Sequence, residues 1–167
     1  TVAGVKSHTT ILDYFSYFEN AYLLSLVPKF AWSQKAQSLA PKKVYFTDIG
    51  LIRTAGLTFS ENAGHILENF VFNELRRKYG TFDDKQIYYY SDDTCECDFV
   101  VNPLFAPQCI QVCLELNLDN TERELNGLLA AMDFFKVREG LILTRDSRDL
   151  FVKEDKKITI MPAWDYF

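Results

Sequence analysis

Apolar residues recur along this chain with two periods, and the switching between them lays out its elements. Ile11, Leu12, Phe15, Phe18 and Tyr22 follow Thr10 at helical spacing, with Asp13 three residues beyond the Thr, and predict a helix from Thr10 to about Asn20. Pro28 forbids its continuation, so Tyr22 to Phe30 reads as extended, Ser33 to Pro41 as a polar turn region, and Lys43 to Thr47 as a second strand. A longer helical stripe follows a cap at Ser60 or Asn62: Ala63, Ile66, Leu67, Phe70, Val71 and Leu75, closed by Gly80. Three apolar runs of strand length come next, Gln86 to Ser91, Glu96 to Val101 and Cys109 to Leu116. Thr121 and Glu124 form a capping-box pattern ahead of the stripe Leu125, Leu128, Leu129, Met132 and Phe135. Gly140 to Thr144 and Lys157 to Ile160 read as the last two strands.

Helix, strand, turn, strand is the tail end of a winged-helix unit, which assigns residues 1–58 to a partial winged helix whose first helices would lie before Thr1. Residues 59–167 form a second unit, ordered α, β, β, β, α, β, β. Its first three strands pair as a meander, and the helix between Leu116 and Leu141 implies a parallel crossover. The fold class is therefore α/β, a mixed sheet flanked by helices.

With 167 residues and 48% hydrophobic content, the chain can bury one proper core with at most a small appendage. Apolar runs are broken every few residues by charges, so nothing approaches the roughly 20 apolar residues of a membrane span, and a cytoplasmic protein without a membrane partner is expected. The opening Thr-Val-Ala-Gly has neither Met nor a leader pattern, which suggests sequence upstream. The net charge of −5 divides unevenly: residues 1–60 hold six Lys/Arg against three acids, +3, leaving −8 for the rest. The basic excess is too small to be a nucleic-acid footprint by itself, and the Thr10–Asn20 helix has no Lys or Arg to read bases or touch phosphates. That unit reads as a protein-packing module. There is no phosphate-binding glycine loop, so the chain itself lacks that device for holding a nucleotide.

Cys95, Cys97, Cys109 and Cys113 crowd together but lack the C-x2-C knuckles of common zinc sites, and reduced thiols are expected. Alternation along Cys109 to Leu116 sends Ile110, Val112 and Leu114 to one face and Cys109, Gln111, Cys113 and Glu115 to the other. On the preceding strand Cys97, Phe99 and Val101 share a face and Glu96 and Asp98 project oppositely, which would set Asp98 beside Gln111.

The α-β-β-β-α-β order, with Glu68 on the first helix, Asp98 on one strand and Gln111-Val112-Cys113 on the next, resembles the PD-(D/E)XK nuclease-like fold. More narrowly, VPKFAWSQKAQSLAPKKVYFTDIGL, GHILENFVFNEL, CECDFVV, IQVCLEL and TERELNGL resemble the C-terminal region of archaeal and bacterial AAA-type P-loop ATPases, domain of unknown function 4143. The resemblance implies an upstream ATPase module that binds ATP and through which the protein could oligomerise. It also implies a site in which Glu68, Asp98 and the residue at 111 hold Mg²⁺ while the residue at 113 assists the attacking water. Here Gln111 brings no charge and Cys113 replaces a lysine, so the catalytic set Glu68, Asp98, Gln111 and Cys113 is degenerate. Glu115 lies two residues, roughly 6.5 Å, further along and could substitute as a ligand. No migrated Lys is evident, and Arg123 or Arg145 would have to lend positive charge.

Each of these residues also has a purely structural role open to it. Glu68 could be a helix-flank acid bonded to the backbone or an Arg, Asp98 a strand acid paired with a neighbouring Lys, and Gln111, Cys109 and Cys113 a neutral filling under a covering helix. Thr121 and Glu124 are explained by capping. Three functions follow: an accessory domain that binds nucleic acid or a protein partner without catalysis, a weak Mg²⁺-dependent DNA endonuclease, or a purely protein-interaction domain.

Overall fold

The computed structural model describes residues 8–54, 63–80, 86–153 and 155–167. In chain order these form α1 (His8–Asn20), β1 (Leu24–Pro28), α2 (Gln34–Leu39), β2 (Lys42–Phe46), α3 (Ile49–Thr54), α4 (Ala63–Tyr79), β3 (Ile87–Ser91), β4 (Glu96–Val101), β5 (Gln108–Val112), α5 (Thr121–Phe135), β6 (Glu139–Thr144), β7 (Asp149–Lys153), β8 (Lys156–Pro162) and α6 (Ala163–Tyr166). The expected cap of α4 at Ser60 or Asn62 lies outside the described residues.

Six strands make one mixed sheet in the order β3-β4-β5-β6-β8-β7. The meander β3-β4-β5 is antiparallel, and α5 carries the chain to β6, which lies parallel to β5. Strand β8 continues parallel to β6, and β7 folds back antiparallel on the outer edge. Alternation along the strands splits the core in two. Phe99, Val101, Ile110 and Val112 pack under α4 with Val71, Phe72 and Leu75. Cys97, Val100, Cys109 and Cys113 pack under α5 with Leu128, Ala131 and Met132. The three cysteines are thus small apolar filler between sheet and helix, and all four thiols are free.

Strands β1 and β2 pair antiparallel from Leu24↔Phe46 to Pro28↔Lys42. Val27 and Tyr45 belong to the α4-side core, so this hairpin shares its interior with the six-stranded sheet. Past Pro28 the chain runs along β3, where the Phe30 N–H donates to Tyr89 O at 2.8 Å. Buried Asn69 of α4 fastens the other end: its Oδ1 accepts from Phe46 N and its Nδ2 donates to Phe46 O, both at 2.7 Å. Asn73 also donates to Phe46 O. Replacing Asn69 with Ala therefore orphans the Phe46 N–H but leaves its carbonyl partnered, and urea denaturation is expected to show a loss of about 1.5 kcal/mol.

Three elements lie outside the sequence expectations. The polar stretch Ser33 to Pro41 contains α2, capped by Ser33 Oγ accepting from Ala36 N; a helix with no buried residue leaves no apolar stripe to read. Helix α3 was likewise too short to show a period. Strand β7 is exposed along its whole length and has no burial alternation. The α1 stripe is largely open to solvent, with Leu12 54% and Phe18 44% exposed.

Candidate functional site

Strand β4 carries the first irregularity that shapes the site. Opposite β3, Tyr88 pairs with Val100 but Tyr90 pairs with Cys97, so β4 holds one extra residue at Asp98-Phe99. A bulge of this kind bends the strand and re-aims a side chain. It also breaks the expected common face of Cys97, Phe99 and Val101: Cys97 packs under α5, whereas Phe99 and Val101 pack under α4. Asp98 remains buried, its Oδ2 accepting from Val112 N at 2.9 Å and its Oδ1 directed at a lysine.

That lysine is Lys43 of β2. Along β2, Val44 faces outward while Tyr45 is buried and Lys43 is half-buried, so the lysine lies on the inward face. Its Nζ reaches Asp98 Oδ1 at 2.7 Å, Glu96 Oε1 at 2.9 Å and Glu68 Oε1 at 3.0 Å. Tyr45 Oη donates to the same Glu68 oxygen at 2.6 Å. Three carboxylates from α4 and β4 thus converge on one ammonium. The Asp98–lysine pairing is the structural role open to Asp98 in the sequence, and the lysine comes from a strand far away in the chain.

The electrostatics follow from three negative charges sharing one positive. Burial pulls the Lys43 ammonium toward deprotonation, but Asp98 and Glu68 outweigh it and hold its pKa above the usual lysine range. Burial, and then the charge of Glu68, push Asp98 up to about 7 although Lys43 opposes the shift. Burial, reinforced by Glu68, also keeps the Tyr45 phenol well above its ordinary value.

A carboxylate whose folded pKa is raised stabilises the fold fully below its unfolded value of 3.8, and that contribution is lost as pH rises toward about 7. Glu68, Glu96 and Tyr45 face the same point and remain in an Asp98→Asn variant. Between pH 4 and pH 7, the unfolding free energy of that variant, from urea denaturation, is expected to rise relative to the parent by at least about 1 kcal/mol. Parallel pH profiles would show that Asp98 is not the group responsible.

Gln111 sits next to Asp98, as alternation predicts, and both ends of its amide are engaged. Oε1 accepts from Asp98 N at 3.2 Å, and Nε2 donates to Glu124 Oε2 at 2.7 Å. Glu124 is therefore not a cap: Asn120 is the cap residue of α5, Thr121 Oγ1 bonds Asn117 O, and the buried Glu124 carboxylate joins Gln111 to Arg123. Cys113 packs below α5, its Sγ donating to Glu115 O at 2.9 Å, with its thiol pKa raised by burial. Glu115 pairs with Arg145 rather than with the Asp98 cluster.

Lys43, Glu68, Asp98, Gln111, Arg123 and Glu124 all line one cleft of about 1140 Å³. The donors do not suit Mg²⁺ as they stand. The ion needs octahedral oxygens at about 2.0–2.1 Å, whereas Glu68 and Asp98 present an oxygen each to the ammonium and the Gln111 oxygen is held by a backbone N–H. Among the described residues, no group of three or more His, Cys, Asp or Glu is arranged to hold a metal ion; the convergence at Lys43 is built to hold an ammonium.

The chain is 34% identical over 168 residues to an uncharacterised protein of Methanocaldococcus jannaschii, MJ1544, covering 96% of this chain but 36% of that protein. No solved structure matches it. Residues 63–166, from the first residue of α4 to the last of α6, match the family described as domain of unknown function DUF4143, and the chain belongs to that family.

Proposed function

We propose that this chain is a non-catalytic accessory domain with a nuclease-like sheet, carried C-terminal to a P-loop ATPase module that supplies the ATP chemistry. Residues 1–58 would be the remnant of a winged helix and residues 59–167 the PD-(D/E)XK-like unit. The observation that carries the reading is Lys43 Nζ within 3.0 Å of Glu68, Glu96 and Asp98. An ammonium neutralises clustered carboxylates, but it has no open coordination position for water or a phosphate oxygen. The cleft is also a poor seat for nucleic acid. Of the cleft's cations, Lys43 and Arg123 are each paired with carboxylates, leaving them less to offer a phosphate. A protein partner, including the ATPase module of the same molecule, is the better match.

One observation favours a second reading. A lysine beside the strand Asp is what a weak endonuclease would need, and Lys43 stands 2.7 Å from Asp98. Cleavage of linear and branched DNA with Mg²⁺ or Mn²⁺, followed on a gel alongside Mn²⁺ calorimetry, separates the two. The accessory-domain reading expects neither cleavage nor saturable binding. Cleavage that Asp98→Ala abolishes would establish the endonuclease instead.

A further inference from the structure

The two edges of the six-stranded sheet are treated differently by the fold. At β3 the chain covers its own edge, because the Lys29-Phe30 segment bonds alongside Tyr89. At β7 no described residue pairs with the outer edge. Exposed sheet edges in folded proteins are usually blunted by central charges, proline or a covering segment, since free N–H and C=O groups invite another strand. Strand β7 has its charges only at the two ends, Asp149 and Lys153, around Leu150, Phe151 and Val152, which are 53%, 38% and 71% exposed.

The order of these five residues is self-complementary. If two β7 strands pair antiparallel about a two-fold axis through Phe151, Asp149 of each copy stands opposite Lys153 of the other and Leu150 stands opposite Val152. Both ends then match in charge and the centre is apolar on both faces. Within one copy, among the described residues, neither Asp149 nor Lys153 has an ion-pair partner, although Asp149 Oδ1 accepts from Leu150 N at 2.7 Å. We propose that a second copy of this chain docks on β7, joining two sheets edge to edge through this five-residue register.

Five residues a side bury little surface, at the low end for specific contacts, so the dimer is weak, with Kd on the order of 10–100 µM. Sedimentation velocity on the intact chain, from about 5 to 300 µM to bracket that range, tests it by charge exchange. Asp149→Lys and Lys153→Glu each set like charges opposite one another twice and are expected to raise Kd at least about tenfold. The double variant restores opposite charges and is expected to return Kd to within about threefold of the parent. Circular dichroism melts verify that each variant is folded. A parent monomeric throughout the range, a dimer indifferent to both single changes, or a double variant no better than the singles would overturn the proposal. The first outcome would leave β7 to a strand from a different protein.

Discussion

Replacing Lys43 with Met is expected to destabilise the chain by about 3 kcal/mol at pH 8 and to open a divalent-cation site where the ammonium sat. The methionine keeps most of the aliphatic stem but removes the one charge facing Glu68, Glu96 and Asp98. Breaking a buried ion pair by deleting one partner costs about 3–5 kcal/mol, because the remaining charge is left desolvated. The side chains of Lys43, Glu68 and Asp98 are 20%, 15% and 9% exposed, so some water reaches the site and the low end applies. The penalty should shrink on acidification, since Asp98, already raised by burial and freed of the opposing lysine charge, takes up a proton more readily than in the parent. Three carboxylates without their ammonium are hard oxygen ligands, and Mn²⁺ at about 100 times its Kd would restore about 2.7 kcal/mol. Thermal melts of parent and variant at pH 5 and pH 8, with and without Mn²⁺, give the answer. A variant as stable as the parent at pH 8 would mean that Lys43 does not hold the cluster together. Equal stabilisation of both by Mn²⁺ would mean that the lysine does not exclude the metal.

What the sequence revealed of this site, and what it hid, divides along the range of the interactions. Alternation placed Glu96 and Asp98 on one side of β4 and Asp98 beside Gln111, because strand period is a local property. The bulge at Asp98 was hidden: it is a matter of pairing register with β3, and neither strand shows it alone. Lys43 was hidden for a related reason, since it meets Glu68 and Asp98 across 25 and 55 residues of chain, from a hairpin that reads as part of another unit. One signal was present. In Lys43-Val44-Tyr45 the charged residue shares a face with the buried tyrosine, and a lysine on an inward face requires buried acids to meet it. Glu124 was misread because T-x-x-E before an apolar run is a sound local pattern for capping, and a tertiary partner, Gln111, outbid it. The sheet order was legible where helices and strands carry buried stripes and illegible at β7, whose residues face solvent.

The same substitution at two helical glycines is expected to have opposite signs, and the contrast tests how the site's strand is braced. A Cβ on Gly127 of α5 would lie 2.0 Å from the carbonyl oxygen of Glu96, a backbone atom at the start of β4. Ordinary carbon–oxygen contacts are roughly 3.3 Å, so α5 must back away by about 1 Å. Leu128, Ala131 and Met132, fully buried on the same helix, would lose packing density with it. Overpacking of this kind costs about 3 kcal/mol when backbone is the obstacle, against about 1 kcal/mol gained from alanine's better helix propensity. Gly127→Ala is therefore expected to lose about 2 kcal/mol. Gly64, in the first turn of α4, has nothing within 4 Å of its Cβ position, so Gly64→Ala receives only the propensity term and should gain about 0.5 kcal/mol. Chemical denaturation of the two variants reads the signs directly. The Gly127 variant should also loosen the 2.9 Å contact between Lys43 and Glu96, since the displaced helix presses on that residue's own carbonyl. A lysine ammonium that exchanges its protons faster than in the parent, seen by NMR, is the expected mark. Stabilisation by Gly127→Ala would show that α5 does not lie against β4 at this distance, and the close packing that positions Glu96 would have to be abandoned.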